Sequence, residues 1–206
     1  SLRGLDRAIL EYPIKAGLIF ILDKRFSYKK NEIVVKKAIK YKNRGIIGID
    51  FAGPKNKSFV YKDYQKLYKT AREAGLGLCV HTGEEGNDIE MRKAIKFLSP
   101  DRIVHGIQAV YHKDLLKTLV EKKIVLAICP TSNLRTGIVK NIQEYKKIVK
   151  VFIKAGIKFC INTDGPEMLQ TNILKEMEFL FINKIMTKKQ LLEANKTAFK
   201  SSFINK

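Results

Sequence analysis

The sequence is poor in the residues from which several kinds of site are built. It has three cysteines, three histidines, no tryptophan and no CxxC pair in 206 residues. The scattered cysteines argue against a disulfide framework or a thiolate metal site, and we expect Cys79, Cys129 and Cys160 to be buried thiols. The sequence also lacks GxGxxG and GxxxxGK[ST], which disfavours the open sheets that bind nucleotides.

Long hydrophobic runs are missing as well. No apolar run approaches the roughly 20 residues that a membrane span needs. The first residues, SLRGLDRAILEY, carry early charges and lack the cleavable pattern of a secretory signal. We therefore expect a cytoplasmic protein with no membrane partner. Hydrophobic residues make up 45% of the chain, enough for the core of one domain.

Positive charge is abundant, since Lys and Arg number 40 against 20 Asp and Glu, for a net charge of +20. The lysines alternate with apolar residues in helical stretches such as 29–44, so solvated helix faces account for most of the charge. The alternative is an anionic partner, either nucleic acid or a phosphorylated substrate. We do not expect nucleic acid, because no nucleic-acid motif or basic stripe with interleaved aromatics accompanies the charge.

Six short apolar runs recur along the chain, separated by stretches with helical spacing such as residues 61–75. Because both faces of a parallel sheet are covered, its strands are continuous apolar runs. The alternation predicts an α/β fold with a parallel sheet. The expected strands are residues 16–24, 45–53, 76–83, 102–106, 123–132 and 157–165.

Polar residues stand at the carboxyl ends of successive predicted strands. In an open doubly wound sheet they would be strung along an edge, whereas in a (β/α)8 barrel they converge on one mouth, where the chemistry takes place. We therefore predict a TIM barrel with six strands instead of eight, forming a single incomplete domain over residues 1–206. The strand-end residues are Asp50, His81, His105, Ser132 with Asn133, and Asp164.

One strand end carries two reactive groups. In LCVHTGEEG (78–86), His81 ends the apolar run and Glu84 follows three residues later, after a Thr-Gly turn. Imidazole and carboxylate groups at converging positions suit a divalent metal such as zinc, which keeps a coordination position open for water. The turn lets Glu84 swing inward, where a carboxyl group in a dry pocket can carry a proton. We expect the remaining histidine, His112, on the surface.

These residues lie in motifs that match a known family. HTGEEG resembles the HxGE signature of the metal-dependent adenosine deaminases, a family that includes AMP deaminase-like amidohydrolases. IDFAG, RIVHG, CPTSN and NTDGP resemble other strand ends of that family, and MTKKQLLEANKTAFKSSF resembles its C-terminal segment. The motifs occur in order from about residue 5 to 204. The chain thus resembles the C-terminal two-thirds of the family.

The resemblance implies a metal site and an activity. His81 and Asp164 would be metal ligands, with one zinc ion per active site. Asp50 would support these ligands without itself contacting the metal. A metal-bound hydroxide would attack C6 of a 6-aminopurine nucleoside, adenosine or a related adenine derivative, and release ammonia.

The resemblance also assigns roles around the substrate. Glu84 would protonate the purine N1, and His105 would orient the attacking water and stabilise its charge. Gly53 would offer its backbone N–H to the purine. The implied partner is a purine nucleoside or nucleotide.

Two features depart from the family pattern. The family's first strand carries HxH, which supplies two more metal ligands, and the 206 residues contain no HxH. The run LIFILDK resembles the family's third strand, so we expect strands 3 to 8 of the barrel, in a fragment that alone catalyses little. Such a fragment would expose apolar strand edges and would self-associate or pair with the missing N-terminal segment.

The second departure is Gly165, which stands where adenosine deaminases have an aspartate that contacts the purine N7. Its loss favours modified adenosines, nucleotides or aminodeoxyfutalosine over adenosine. Two alternatives remain open: another mononuclear amidohydrolase, or a non-catalytic degenerate barrel. Binuclear amidohydrolases place a carbamylated lysine at the end of strand four, and here Lys55 lies beyond that end.

Overall fold

The computed structural model describes residues 2–54, 59–86 and 88–205. Lys55 falls outside those residues, and so does residue 87, where the sequence NDIEMRKAIKFL predicts an Asn/Asp cap at the start of a helix. The chain divides into two compact units. The first unit comprises residues 1–81, 93–101 and 202–206, and the second comprises residues 82–92 and 102–201. A single domain over residues 1–206 stays a prediction.

The first unit is a three-stranded parallel sheet with helices between its strands. Strand β1 pairs with β2, and β2 pairs with β3, all in parallel. Its core includes Phe51 of β2, whose ring packs against Phe59, Tyr64 and Tyr68 at centroid distances of 4.8–6.0 Å. The elements are α1 (Leu2–Glu11), β1 (Leu18–Asp23), α2 (Tyr28–Lys40), β2 (Ile46–Ala52), α3 (Gln65–Glu73), β3 (Gly77–Thr82) and the later part of α4 (Asp88–Leu98).

The second unit repeats this architecture. Strands β4, β5 and β6 are parallel neighbours, with Val104 opposite Ala127 and Ala127 opposite Cys160. These three residues and Cys129 form a buried apolar cluster. The elements are β4 (Arg102–His105), α5 (Lys113–Glu121), β5 (Val125–Ile128), α6 (Pro130–Arg135), α7 (Ile142–Lys154), β6 (Phe159–Ile161), α8 (Pro166–Leu169), α9 (Ile173–Ile182) and α10 (Lys188–Lys200).

Six strands were expected and six are described, in an alternation with helices that is α/β. All three cysteines are buried thiols, as predicted. No described helix has the length and apolar character to cross a membrane.

Two of the predicted strands were too long. The fifth was expected over 123–132, but β5 ends at Ile128 and α6 begins at Pro130. Proline lacks the N–H that a sheet ladder needs, and its fixed φ suits the first helical position. The sixth was expected over 157–165, and only Phe159–Ile161 are in a strand, because the chain then turns into the short helix α8.

Candidate active site

Within the first unit, the ends of β2 and β3 bring Asp50 and His81 together. In the parallel register Asp50 lies opposite Cys79, and His81, two residues further on, projects from the same face. His81 Nδ1 is 2.8 Å from Asp50 Oδ2, and the Asp50 side chain is 8% exposed. A carboxylate this close to Nδ1 favours the tautomer with the ring proton there, which would leave the Nε2 lone pair for a metal.

Lys24 is a neighbour of this pair that sequence reasoning did not single out. It follows β1, and its Nζ donates a hydrogen bond of 2.7 Å to the backbone carbonyl of His81. One lysine among so many carries no recognisable sequence signal. Gly53, expected to face the purine, follows β2 and lies beside Asp23, whose pKa the Arg25 guanidinium holds below its usual value.

Within the second unit, Glu84 and His105 face each other. Glu84 Oε2 is 3.5 Å from His105 Nε2. The His105 side chain is 1% exposed, whereas that of Glu84 is 30% exposed. The pair therefore joins a buried imidazole to a carboxyl group that solvent can still reach.

The turn after β3 fixes the position of Glu84. Gly106 N donates to the Thr82 carbonyl at 3.1 Å, and Gln108 N donates to the Gly83 carbonyl at 2.9 Å. Gly83 has φ +68, and a Cβ there would lie 3.1 Å from Gly106 Cα. This is a backbone atom, which could move away only by distorting the chain. Glycine at position 83 is thus needed for both the dihedral angle and the close approach.

His105 is held from its other side by helix α6. Asn133 Nδ2 lies 3.0 Å from His105 Nδ1, and Asn133 is fully buried. With the amide nitrogen as donor, Nδ1 accepts and the ring proton lies on Nε2, toward Glu84. His105 has φ +67, a left-handed conformation that is strained for a residue with a side chain and that persists only where the surroundings impose it.

Asp164 lies in the same unit, in the loop after β6. Ser132 Oγ donates a hydrogen bond of 2.7 Å to Asp164 Oδ2. A carboxylate oxygen of Asp164 and a ring nitrogen of His105 lie within 4.8 Å of each other. Asp164 has φ +62, so two of the predicted site residues that carry a side chain adopt left-handed backbone. Gly165 follows it as the residue before α8.

Glu84, His105 and Asp164 thus converge in the second unit, while Asp50 and His81 form a pair in the first. His112 Nε2 is 3.5 Å from Asp88 Oδ1, and its side chain is partly exposed. Ser132 and Asn133, predicted at a strand end, lie in α6, and the sequence carries no signal for their partners. Burial raises the pKa of the Cys129 and Cys160 thiols, so neither supplies a thiolate at neutral pH.

Sequence relatives cover almost the whole chain. The sequence profile of the adenosine deaminase family matches residues 2–206. Adenosine deaminase of Plasmodium falciparum is 31% identical over 98% of this chain and 55% of its own length. Adenosine deaminase of Clostridium botulinum is 35% identical over 87% of this chain and 53% of its own length. The chain spans about half the length of these curated relatives.

Solved structures share the fold at lower identity. Adenine deaminase from Arthrobacter aurescens superposes with a TM-score of 0.84 at 23% identity, over 98% of this chain and 60% of the other. A zinc-bound amidohydrolase from Burkholderia ambifaria gives a TM-score of 0.80 at 22% identity, over 97% and 55%. Arabidopsis ADAL complexed with IMP gives 0.78 at 21% identity, over 91% and 53%.

These matches confirm the predicted fold class, the amidohydrolase type of (β/α)8 fold with six strands present. They also bear out the resemblance on which the site residues were chosen. The chain belongs to the adenosine deaminase family.

Proposed function

We propose that this chain supplies part of the active site of a hydrolytic deaminase that acts on a 6-aminopurine nucleoside or nucleotide. The observation that carries the proposal is the pairing of Glu84 with His105 beside Asp164 in the second unit. A proton-carrying carboxyl group, an imidazole and a second carboxylate are the groups that addition of water to a purine ring requires. Membership of the adenosine deaminase family supports the reaction class.

We propose His81 and Asp164 as ligands of a divalent metal. The donors fit zinc, which accepts imidazole nitrogen and carboxylate oxygen. Asp50 against His81 and Ser132 against Asp164 are partners of the kind that orient metal ligands. Zinc, when bound, lowers the pKa of a coordinated water to about 7. The zinc in the Burkholderia ambifaria amidohydrolase supports this ion.

The chain's own residues are proposed to carry out the proton transfers. Glu84 donates a proton to the purine N1, which withdraws electron density from C6 and opens that carbon to attack by water. His105, whose Nε2 faces Glu84, orients the water and stabilises the charge that develops on its oxygen. The attacking water returns one proton to Glu84, and the hydroxyl proton of the adduct passes to the exocyclic nitrogen as the C6–N bond breaks, so that ammonia leaves the 6-oxopurine. Gly53 is proposed to donate its backbone N–H to the ring.

The complete polypeptide is proposed to supply further ligands. The 206 residues contain no HxH, and they span about half of the curated relatives. We therefore propose that a further segment brings the HxH pair and covers the apolar surface of the first unit. The 206 residues alone are expected to bind zinc weakly and to be nearly inactive.

The substrate is proposed to be an adenine derivative other than adenosine itself. Gly165 offers no carboxylate for the purine N7, and the net charge of +20 suits a phosphorylated ligand. Arabidopsis ADAL was solved with IMP, and another neighbour is an N6-methyl-AMP deaminase. A comparison of adenosine, AMP and N6-methyl-AMP as substrates tests this choice.

The test measures ammonia released by the complete polypeptide that the gene encodes, loaded with zinc. We expect kcat to fall by about 10²- to 10⁴-fold in Glu84→Gln, the range for loss of a general acid. Glu85→Gln is the matched control, because Glu85 is the adjacent exposed carboxylate, and it should stay near wild type.

Three results would contradict parts of the proposal. Full activity in Glu84→Gln would remove Glu84 from the role of acid. No ammonia from any 6-aminopurine would overturn the deaminase proposal and favour a non-catalytic barrel, whereas hydrolysis of a different amide would favour another amidohydrolase.

A further inference from the structure

Glu176 is a charged residue in the interior of the second unit that the proposed chemistry does not use. It lies in α9 and has no exposed surface. A buried carboxylate is costly unless hydrogen bonds compensate it. The groups that hydrogen-bond to Glu176 therefore indicate which part of the structure it stabilises.

Both oxygens of Glu176 accept hydrogen bonds. Oε2 accepts from the backbone N–H of Thr131 at 3.0 Å, and Oε1 accepts from Thr171 Oγ1 at 2.7 Å. Thr131 is the second residue of α6, where a backbone N–H has no partner within the helix. Glu176 supplies that partner from a position 45 residues away in sequence.

Helix α6 is the element that contacts the candidate site. The two residues after Thr131 are Ser132, which donates to Asp164, and Asn133, which pairs with His105. The helix has only six residues, too few to be stable without tertiary contacts. Its position therefore depends on the groups that bind its backbone.

We propose that Glu176 is a positioning residue: it fixes α6 so that Ser132 and Asn133 orient Asp164 and His105. The predicted effect on catalysis rests on the proposed function. The predicted effect on the position of α6 and on the His105 ring does not. Loss of the Thr131 contact lets α6 shift, and the proton of His105 is then no longer confined to Nε2.

The first test records the ¹⁵N NMR signals of the histidine imidazoles in the 206-residue chain at one fixed pH. Only three histidines contribute ¹⁵N signals. In Glu176→Leu, which has similar volume but no acceptor, both His105 nitrogens should move toward the averaged shifts of two exchanging tautomers. In Glu176→Gln the amide oxygen can still accept from Thr131, so the His105 signals should stay near wild type.

Two controls separate positioning from loss of stability. Leu180→Ala truncates a fully buried residue of the same helix, so it should lower the thermal midpoint and leave the His105 signals in place. His112 lies outside the α6 contacts, and its signals should not move in any variant. Should Glu176→Leu fail to fold, Glu176→Asp keeps the charge but shortens the reach to Thr131, and it should move the His105 signals in the same way.

The second test is kinetic and uses the complete polypeptide. Glu176→Leu should lower kcat at least tenfold with KM within about threefold, and Glu176→Gln should restore most of the rate. Unchanged His105 signals in folded Glu176→Leu or Glu176→Asp would overturn the positioning role. A complete polypeptide with no deaminase activity would instead refute the proposed function, and the imidazole signals would still decide the role of Glu176.

Discussion

The two imidazoles at strand ends are each held through Nδ1, by partners of opposite character. His81 Nδ1 faces the carboxylate of Asp50, which accepts hydrogen bonds, and His105 Nδ1 faces the amide nitrogen of Asn133, which donates them. The Asp50 carboxylate favours the His81 tautomer with its lone pair on Nε2, and a donor at Asn133 favours the His105 tautomer with its proton on Nε2. The first arrangement suits metal ligation, and the second suits donation to a developing negative charge.

Asp50 should therefore affect metal binding without itself being a ligand. Asp50→Asn keeps the shape of the side chain but weakens its hold on the His81 ring, and we expect zinc affinity to fall about 10- to 100-fold. Competition with a chelator measures the change in the complete polypeptide. Asp63→Asn, at an exposed carboxylate of the same unit, is the control and should leave the affinity unaltered. Equal affinities for Asp50→Asn and wild type would contradict the supporting role.

Gly165 should decide between substrates. Its φ of −94° is open to any residue, and an added Cβ would lie 3.2 Å from Met168 Cε, the end of a flexible side chain. Gly165→Asp should therefore fold normally and restore an acceptor for the purine N7. We expect kcat/KM for adenosine to rise about tenfold relative to AMP, since one hydrogen bond to a charged group contributes roughly 1.5 kcal/mol or more. An unchanged ratio in the folded variant would exclude this position from purine recognition.

At the scale of elements, Arg92 ties two helices of the second unit together. Its guanidinium bonds Asp88 in α4 and both carboxylate oxygens of Asp114 in α5, the latter at 2.5 and 3.1 Å. The Arg92 side chain holds the pKa of both carboxyl groups below the ordinary value of 3.8. The bonds are bidentate at Asp114, which favours a defined geometry at the surface.

The Arg92 bonds predict a stability difference that depends on pH. Carboxyl groups with lowered folded pKa values stabilise the native state above their unfolded pKa, and this contribution is lost as the pH falls through the folded values. Arg92→Gln should thus be less stable than wild type at pH 6, and the two should converge as the pH drops well below 3.8. Urea unfolding at a series of pH values measures this. Arg3→Gln, at an exposed position of α1, should match wild type throughout.

The whole molecule carries much exposed apolar surface. In the first unit Ile21 of β1 is 60% exposed, and β1 has β2 as its one strand neighbour among the residues described. In the second unit Leu174 and Ile182 of α9 are 63% and 73% exposed. Apolar strand edges and helix faces of this kind favour association with another chain or segment.

The 206-residue chain should consequently self-associate. Sedimentation velocity at rising concentration should show dimers or larger species, and Ile182→Lys or Ile21→Lys should shift the distribution toward monomer. Val120→Lys, at a 43% exposed position of α5, serves as the matched control and should change little. A monodisperse monomer at every concentration would argue against association through these apolar residues and against the proposal that a further segment covers the apolar surface of the first unit.

Much of the fold could be predicted because its signals are local. The first four strands lie within the predicted ranges, and the Thr187–Gln190 capping box starts α10 as its sequence indicates. The fifth strand was overextended because the apolar run continues into Cys129-Pro130, where the proline begins a helix. His81, Glu84, His105 and Asp164 could be chosen because each stands in a short motif at a strand end.

The sequence by itself determined the strand–helix alternation and the residue types at each strand end, because periodicity and turn residues act over a few positions. Only the tertiary structure decided which polar group each of them meets. Asn133 reaches His105 across 28 residues, and Glu176 reaches Thr131 across 45. No periodicity links residues so far apart, and a hydrogen bond near 3 Å forms only after packing has placed both backbones. The left-handed dihedrals of His105 and Asp164 likewise arise from packing, since a residue with a side chain adopts them only at a cost in free energy.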